Sequence, residues 1–169
     1  MSAIQNLNNT EGIVKLKQLV ESITTGFFCT NLNNQDGSTA TIMTAQQVDE
    51  EGNIWFFSGL DSDRNRDIKL DKKVQLFFSD TNKNFYLVAN GEASVITDKA
   101  KMKELWNPFL KIWFKDGIED SNISLLKVST NNAHYWDNEG GKMVNFVKMI
   151  ASVITGNDYV DAKEGNIKI

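Results

Sequence analysis

The best candidate for binding chemistry is the polar run from Ser58 to Arg66, SGLDSDRNR, which follows an aromatic stretch and precedes a short helical pattern. Ser62 stands where that helix begins, so its hydroxyl and the free N–H groups of the first turn can meet an anion. The Arg64 guanidinium adds a fixed positive charge with several donors. The run predicts a phosphate site; the alternative is that Ser62 only caps the helix while Arg64 and Arg66 are solvated.

The composition argues against several familiar kinds of catalytic and metal site. The chain has one histidine, His134, and one cysteine, Cys29. A His-dependent triad needs an oriented imidazole beside a nucleophile, and a zinc site needs clustered Cys and His ligands. The phosphate-binding motifs GxGxxG and GxxxxGK[ST] are absent from the sequence. We interpret His134, beside Tyr135 and Trp136, as a sheet residue, and we expect no metal.

Aromatic side chains make up 10% of the chain, and such rings either pack in cores and interfaces or stack on planar heterocycles. Trp106 and Trp113 are seven residues apart in a segment with helical periodicity, KAKMKELWNPFLKIWF, in which Pro108 is expected to begin a second short helix. We interpret the two tryptophans as a candidate dimer surface. Four methionines are interpreted as core residues: Met43, Met102, Met143 and Met149.

The pattern of apolar residues predicts a mainly β fold with flanking helices. Strand-like stretches occupy 26–32, 39–48, 53–58, 73–79, 85–97 and 123–137, and helical patterns occupy 11–23, 63–71, 99–114 and 141–154. Thr10 is expected to cap the first helix. Gly91 interrupts the fifth strand, which indicates a bulge or the close approach of another backbone. These elements together predict a small barrel.

Length and charge limit the domain count and the partners. The 169 residues suit one domain, 1–169, with its core at about 10–155 and a polar tail at 156–169. The formal net charge of −4 argues against broad contact with nucleic-acid phosphates. No apolar run approaches the roughly 20 residues of a membrane span, and the N-terminal sequence lacks a signal-peptide pattern. We therefore expect a cytoplasmic protein with neither nucleic acid nor membrane as partner.

One long segment, TATIMTAQQVDEEGNIWFFSGLDSDRNRDIKLDKKVQLFF, resembles the FMN-binding core of the pyridoxamine 5'-phosphate oxidase-like split-barrel proteins. The shared feature is the order of elements: a strand, an acidic-Gly turn, an aromatic strand, Ser-x-basic at a helix start, and a strand after a polar turn. The resemblance continues through NGEASVITDKAKMKELW, GIEDSNISLLKVSTNNAHYWD and GGKMVNFVKM, which are similar to the general stress protein 26 branch. It covers about residues 10–155.

The resemblance implies a six-stranded antiparallel split β-barrel that forms a homodimer with FMN at the subunit interface. Carried over by position, Ser62 and Arg64 bind the phosphate, while Phe57 and Ser58 line the edge of the isoalloxazine ring. The remaining assigned residues are Thr41, Ile42, Met43 and Thr44, which border the flavin, and Trp106 and Trp113, which reach the flavin of the partner subunit.

Two positions depart from the family pattern. Thr41-Ile42 stands where the family often has Arg-Pro, and Asp63 stands where the true oxidases have a second basic residue. Because a charge-assisted hydrogen bond is worth about 1.5–3 kcal/mol, we expect weaker FMN binding than in those oxidases. The C-terminal Trp and Arg of the oxidases have no counterpart in NDYVDAKEGNIKI, so oxidation of vitamin B6 is not expected.

Three functional hypotheses follow from these features. The first is a stress-related, FMN-dependent oxidoreductase of unknown substrate, because a flavin carries the redox chemistry and requires no conspicuous catalytic side chain. The second is a non-enzymatic flavin reservoir or sensor. The third is another cofactor, the deazaflavin F420 or haem, or none; a single histidine, His134, argues against haem.

Overall fold

The computed structural model describes residues 3–138 and 162–169. Two short strands, β1 (Ala3–Ile4) and β2 (Leu7–Asn8), lead into helix α1 (Asn9–Ile23). The helix starts earlier than the pattern at 11–23 predicts, and Thr10 lies inside it, so the predicted cap was wrong. Asn8 takes the cap position with an extended backbone but makes no side-chain cap bond. The helical pattern predicted at 141–154, with Met143 and Met149, lies outside the described residues.

Six strands form the barrel: β3 (Thr25–Thr30), β4 (Thr39–Val48), β5 (Asn53–Gly59), β6 (Lys73–Asp80), β7 (Phe85–Ile96) and β8 (Ile123–Asn138). All of the pairings are antiparallel, in the order β3-β4-β5-β8-β7-β6, and β6 returns to pair with β3. A closed ring of this kind leaves no free edge in the barrel. The predicted six-stranded antiparallel split β-barrel is thereby confirmed.

Four helical segments connect or flank these strands after β5. Helix α2 (Asp63–Leu70) joins β5 to β6, and helix α3 (Lys99–Leu105) follows β7. Short 3₁₀ segments at Pro108–Ile112 and Gly117–Glu119 complete the connection to β8. Pro108 is the first residue of the first 3₁₀ segment, as predicted, because its missing N–H has no partner to lose there. No helix in the described ranges is long and apolar enough to cross a bilayer.

Strand β5 carries apolar side chains on both of its faces, which explains its continuous hydrophobic run. Ile54 and Phe56 belong to the main core inside the barrel. Trp55 and Phe57, on the opposite face, belong to a second cluster with Met102 of α3. Because alternate residues of a strand point to opposite faces, one strand serves both cores. The second cluster borders the site described below.

Gly91 meets the backbone of the neighbouring strand, as its position in a strand predicted. The β7–β8 register shifts between Asn90 and Gly91. A Cβ built on Gly91 would lie 2.3 Å from the Ser129 carbonyl oxygen. Any side chain at this position would therefore push the two strands apart.

The sheet extends into the segment expected to be a polar tail at 156–169. Residues Ala162–Lys168 form strand β9, which pairs antiparallel with β8 and parallel with β1 and β2. Ile167 is fully buried in the main core. Ile167 and Ile169 are the only large apolar residues in 162–169, too few for a clear period-2 signal, so the sequence pattern does not reveal this strand.

Candidate functional site

A cavity of about 370 Å³ opens beside β4, the end of β5, the start of α2 and the 3₁₀ segment Pro108–Ile112. Eight of the ten residues predicted from sequence line it: Thr41, Ile42, Met43, Thr44, Phe57, Ser58, Arg64 and Trp113. The other two lie behind this lining. Trp106 packs edge-on against Phe57 with ring centroids 5.8 Å apart, and Ser62 lies at the N-terminus of α2.

Arg64 brings an incompletely satisfied positive charge to the cavity. Its Nη2 donates to the Ser58 hydroxyl oxygen over 2.9 Å. Its Nε is buried and has no hydrogen-bond partner among the described residues. Burial lowers the pKa of the Arg64 guanidinium, although arginine stays protonated in proteins. A buried N–H without an acceptor is costly, so this guanidinium edge is suited to an incoming anion.

A buried hydrogen-bond network fixes the start of α2 against the strand ends. The Ser58 hydroxyl donates to Asn65 Oδ1 over 2.7 Å, and Asn65 Nδ2 donates to the Ser124 hydroxyl over 3.0 Å. The Ser124 hydroxyl donates back to the Ser58 carbonyl over 2.8 Å. All three side chains are buried, and such a network holds its members in one arrangement. Arg64 projects from this rigid base.

Ser62 caps helix α2, which is one of the two alternatives predicted for it. Its hydroxyl oxygen accepts from the Asn65 backbone N–H over 3.2 Å and lies 3.3 Å from the Ser58 hydroxyl oxygen. The hydroxyl is therefore engaged within the protein. Ser62 supports the residues that line the cavity, and its predicted contact with a phosphate stays a prediction.

Asp63 and Arg66 face solvent next to the site. The Arg66 guanidinium forms an ion pair with the Asp63 carboxylate and also donates to the Asp61 carbonyl. The Arg66 side chain is 60% exposed and the Asp63 side chain is 83% exposed. The negative charge that the sequence places beside Arg64 therefore has its own cation at the surface.

Several of the other lining residues are apolar. Phe57, Leu110 and Phe114 are buried, and the rings of Phe57 and Phe114 lie 6.2 Å apart. Trp113 also lines the cavity but is 68% exposed, so it stands at the entrance. A cavity lined by aromatic and aliphatic side chains and one cation suits a ligand with a planar ring system and an anionic group.

Two amide side chains add hydrogen-bonding groups to the cavity. The β4–β5 register shifts between Ala45 and Gln47, so Gln46 occupies a bulge and lines the cavity. Its Nε2 donates to the Thr44 carbonyl, and its Oε1 accepts from Asn107 Nδ2, both over 2.9 Å. Asn122 is held by two hydrogen bonds with Asp61. A bulge re-aims a side chain without changing the strand.

Sequence reasoning missed five of the lining residues: Gln46, Gly59, Leu110, Phe114 and Asn122. The consecutive polar residues Gln46 and Gln47 interrupt the alternation of β4 and could have indicated the bulge. Gly59 directly follows the predicted Ser58, whereas Leu110, Phe114 and Asn122 reach the cavity through long-range folding and leave no local signal.

Comparisons with known proteins identify the family of this chain. The chain matches the profile of the family described as pyridoxamine 5'-phosphate oxidase like over residues 11–160. It is 25% identical over 155 residues to protein bli-3 of Neurospora crassa, covering 84% of this chain and 74% of that protein.

Two crystal structures illustrate the likeness. The general stress FMN/FAD binding protein from Xanthomonas citri has 28% identity and a TM-score of 0.65, covering 77% of this chain and 90% of that one. A protein assigned as general stress protein 26 from Jannaschia sp. CCS1 has 18% identity and a TM-score of 0.79, covering 95% and 99%. The second comparison shows the fold, and the profile match extends over most of the sequence. The chain therefore belongs to the pyridoxamine 5'-phosphate oxidase-like family.

Proposed function

We propose that this protein binds FMN in the cavity beside Arg64 and acts as a flavin-dependent oxidoreductase. The observation that carries the proposal is the Arg64 side chain, which lines a cavity with apolar aromatic residues and whose buried Nε has no acceptor among the described residues. The Xanthomonas citri relative, described as an FMN/FAD binding protein, supports a flavin. FMN ends in a dianionic phosphate, which suits a single cation at one end of the cavity.

The lining residues divide into two groups by what they would hold. Arg64, supported by Ser58 and Ser62, would bind the phosphate. The strand residues from Thr41 to Thr44 and the side chain of Phe57 would border the ring system, and the Gln46 amide would hydrogen-bond its polar edge. When bound, the flavin supplies the electron-transfer chemistry; the protein binds and orients it and keeps water away.

Only one of the described lining residues, Arg64, is ionisable. No acid or base therefore faces the cavity from this chain in the described ranges. That fits electron transfer by the cofactor alone, and it equally favours the second candidate function, a flavin reservoir or sensor without turnover. Reduction of the bound flavin by NADH or NADPH, followed by absorbance in the visible range, distinguishes the two.

The proposal includes a homodimer with the flavin site at the subunit interface. Phe27 on β3 lies directly opposite Ile42 on β4 on one side and Phe77 on β6 on the other. They are 52%, 68% and 38% exposed, an unusual row of large apolar side chains on a barrel surface. Ile42 also lines the cavity. A second copy of the chain covering this row would enclose the cavity mouth.

The test is a titration of the purified protein with FMN, followed by flavin fluorescence and sedimentation. We expect quenching that saturates at one FMN per chain and a dimeric mass. A Phe27→Asp variant should sediment as a monomer and bind FMN more weakly. Absence of quenching at micromolar protein would exclude a flavin site, whereas binding of F420 in its place would identify the alternative cofactor. A monomer with unchanged FMN affinity would exclude the shared site.

A further inference from the structure

A second cavity of about 560 Å³ lies on the outer surface of β7, β8 and β9 and shares no lining residue with the first. Its polar lining consists mainly of amides, with His134 and Lys168 as the ionisable residues. His134, the single histidine of the chain, plays no part in the proposed flavin site. This cavity is therefore a site separate from the proposed flavin site.

Hydrogen bonds from the backbone fix which nitrogen of His134 carries the proton. The Asn166 backbone N–H donates to Asn6 Oδ1 over 3.0 Å, which identifies that Asn6 atom as the oxygen. Asn166 Nδ2 then donates to the same oxygen over 3.3 Å, leaving Asn166 Oδ1 to face His134 Nδ1 at 2.8 Å. An amide oxygen accepts only, so Nδ1 carries the hydrogen.

The neutral imidazole consequently presents Nε2 as a hydrogen-bond acceptor. The Trp136 ring packs against the His134 ring with centroids 4.4 Å apart, which restricts rotation of the imidazole. Nε2 has no hydrogen-bond partner among the residues that the structure describes. Asn166 and Trp136 thus hold the imidazole in one orientation, and binding sites commonly hold the groups that orient a ligand in this way.

A second series of amides ends in the same cavity with a donor. Gln75 Nε2 donates to Asn90 Oδ1 over 2.8 Å, and Asn90 Nδ2 donates to Asn132 Oδ1 over 3.0 Å. Asn132 Nδ2 is left without a partner within the described ranges. Asn132 and His134 are two residues apart on one face of β8, a spacing of about 6–7 Å in a strand.

We propose that this cavity binds a neutral, polyhydroxylated ligand of the sugar class. A hydroxyl donates to His134 Nε2 and another accepts from Asn132 Nδ2, because each hydroxyl can do both. The amide-rich lining suits an uncharged partner, and Lys168, opposite Asn132 in the register, provides a further donor at the edge. The size of the cavity lies within the range of small-molecule sites.

The first test measures the tautomer in the ligand-free protein. A long-range ¹H–¹⁵N spectrum of the single histidine, recorded at a pH where titration shows the ring to be neutral, should show a protonated Nδ1 and an unprotonated Nε2. An Asn166→Leu variant should lose that preference, whereas Asn166→Asp, which keeps an acceptor, should retain it. A protonated Nε2 in the unaltered protein would overturn the proposal.

The second test titrates the protein with D-ribose and D-glucose, using tetrahydropyran as a ring of similar size without hydroxyls. At least one sugar should shift the His134 Nε2 and Asn132 side-chain resonances with saturation, and tetrahydropyran should not. A His134→Leu variant should bind that sugar about tenfold more weakly, whereas His134→Gln should restore part of the affinity. Asn82→Ala, in a distant turn, is the matched control. Absence of shifts with both sugars, or equal shifts in His134→Leu, would refute it.

Discussion

Replacing Arg64 by methionine tests the central feature of the proposed flavin site. Methionine keeps the apolar stem of the side chain but removes every guanidinium donor. Nη2 donates to Ser58 in the folded protein, whereas Nε is buried without a partner in the described part of the chain. The substitution should therefore remove at least one charge-assisted hydrogen bond to the FMN phosphate.

One such bond contributes about 1.5–3 kcal/mol. Since about 1.4 kcal/mol corresponds to a tenfold change in affinity, the dissociation constant for FMN should rise by roughly 10- to 140-fold. Riboflavin has the same ring system but no phosphate, so its affinity should change little. The difference between the two ligands isolates the contribution of the phosphate.

The assay is fluorescence titration with FMN and with riboflavin, repeated on an Arg66→Met control. Arg66 is 60% exposed and pairs with Asp63 at the surface, so this control should leave both affinities nearly unchanged. Thermal unfolding of each ligand-free variant checks that the fold is intact. An equal loss of FMN and riboflavin binding in Arg64→Met, or a larger effect of Arg66→Met on FMN, would refute the assignment of Arg64.

Three further outcomes follow from the barrel itself. Cys29 is buried and burial raises the pKa of its thiol, so iodoacetamide should modify it slowly in the native protein and rapidly in urea, by mass spectrometry. Burial raises the pKa of Asp49, but hydrogen bonds from Trp55, Asn53 and the backbone outweigh this and lower it below 3.8. The Asp49 carboxylate then stabilises the fold above the unfolded-state pKa and loses this effect as the pH falls through the lower folded-state value. Urea unfolding of Asp49→Asn should therefore depend less on pH between about 5 and 3 than that of the unaltered protein. Gly91→Ala should lower the unfolding free energy by about 1–3 kcal/mol because its Cβ would meet the Ser129 carbonyl, while a change near zero would contradict the close approach.

Local sequence signals predicted the elements that carry their own pattern. The apolar run of β5 and the helix start at Ser62 could both be recognised from neighbouring residues, and both are where the sequence indicated. Strand β9 could not, because Ile167 is buried by pairing with β8 and its flanking residues are polar. A strand can therefore be predicted where its buried residues form a pattern, and it is missed where too few residues are buried to form one.

Some residues of the candidate site could likewise be predicted from local sequence, and others could not. Arg64 and Ser58 are close in sequence, so a helix start after a strand predicts their meeting. Leu110 and Phe114 reach the cavity only because the segment after α3 folds back over β5, and helical spacing there could not show which side faces the barrel. The polar end of the site was therefore predictable, and the apolar wall was only partly so.

Asp63 and Thr41 differ in how strongly they influence the proposed phosphate site. The sequence places Asp63 next to Arg64, but the carboxylate turns outward to Arg66 and is 83% exposed. A paired, solvated charge has a much weaker influence on the cavity than a buried one, because water and Arg66 screen it. Thr41 is different, since it lines the cavity itself and cannot supply the missing cation. The expected weakening of FMN binding relative to the oxidases therefore rests on Thr41, and Thr41→Arg should strengthen FMN binding more than Asp63→Asn does.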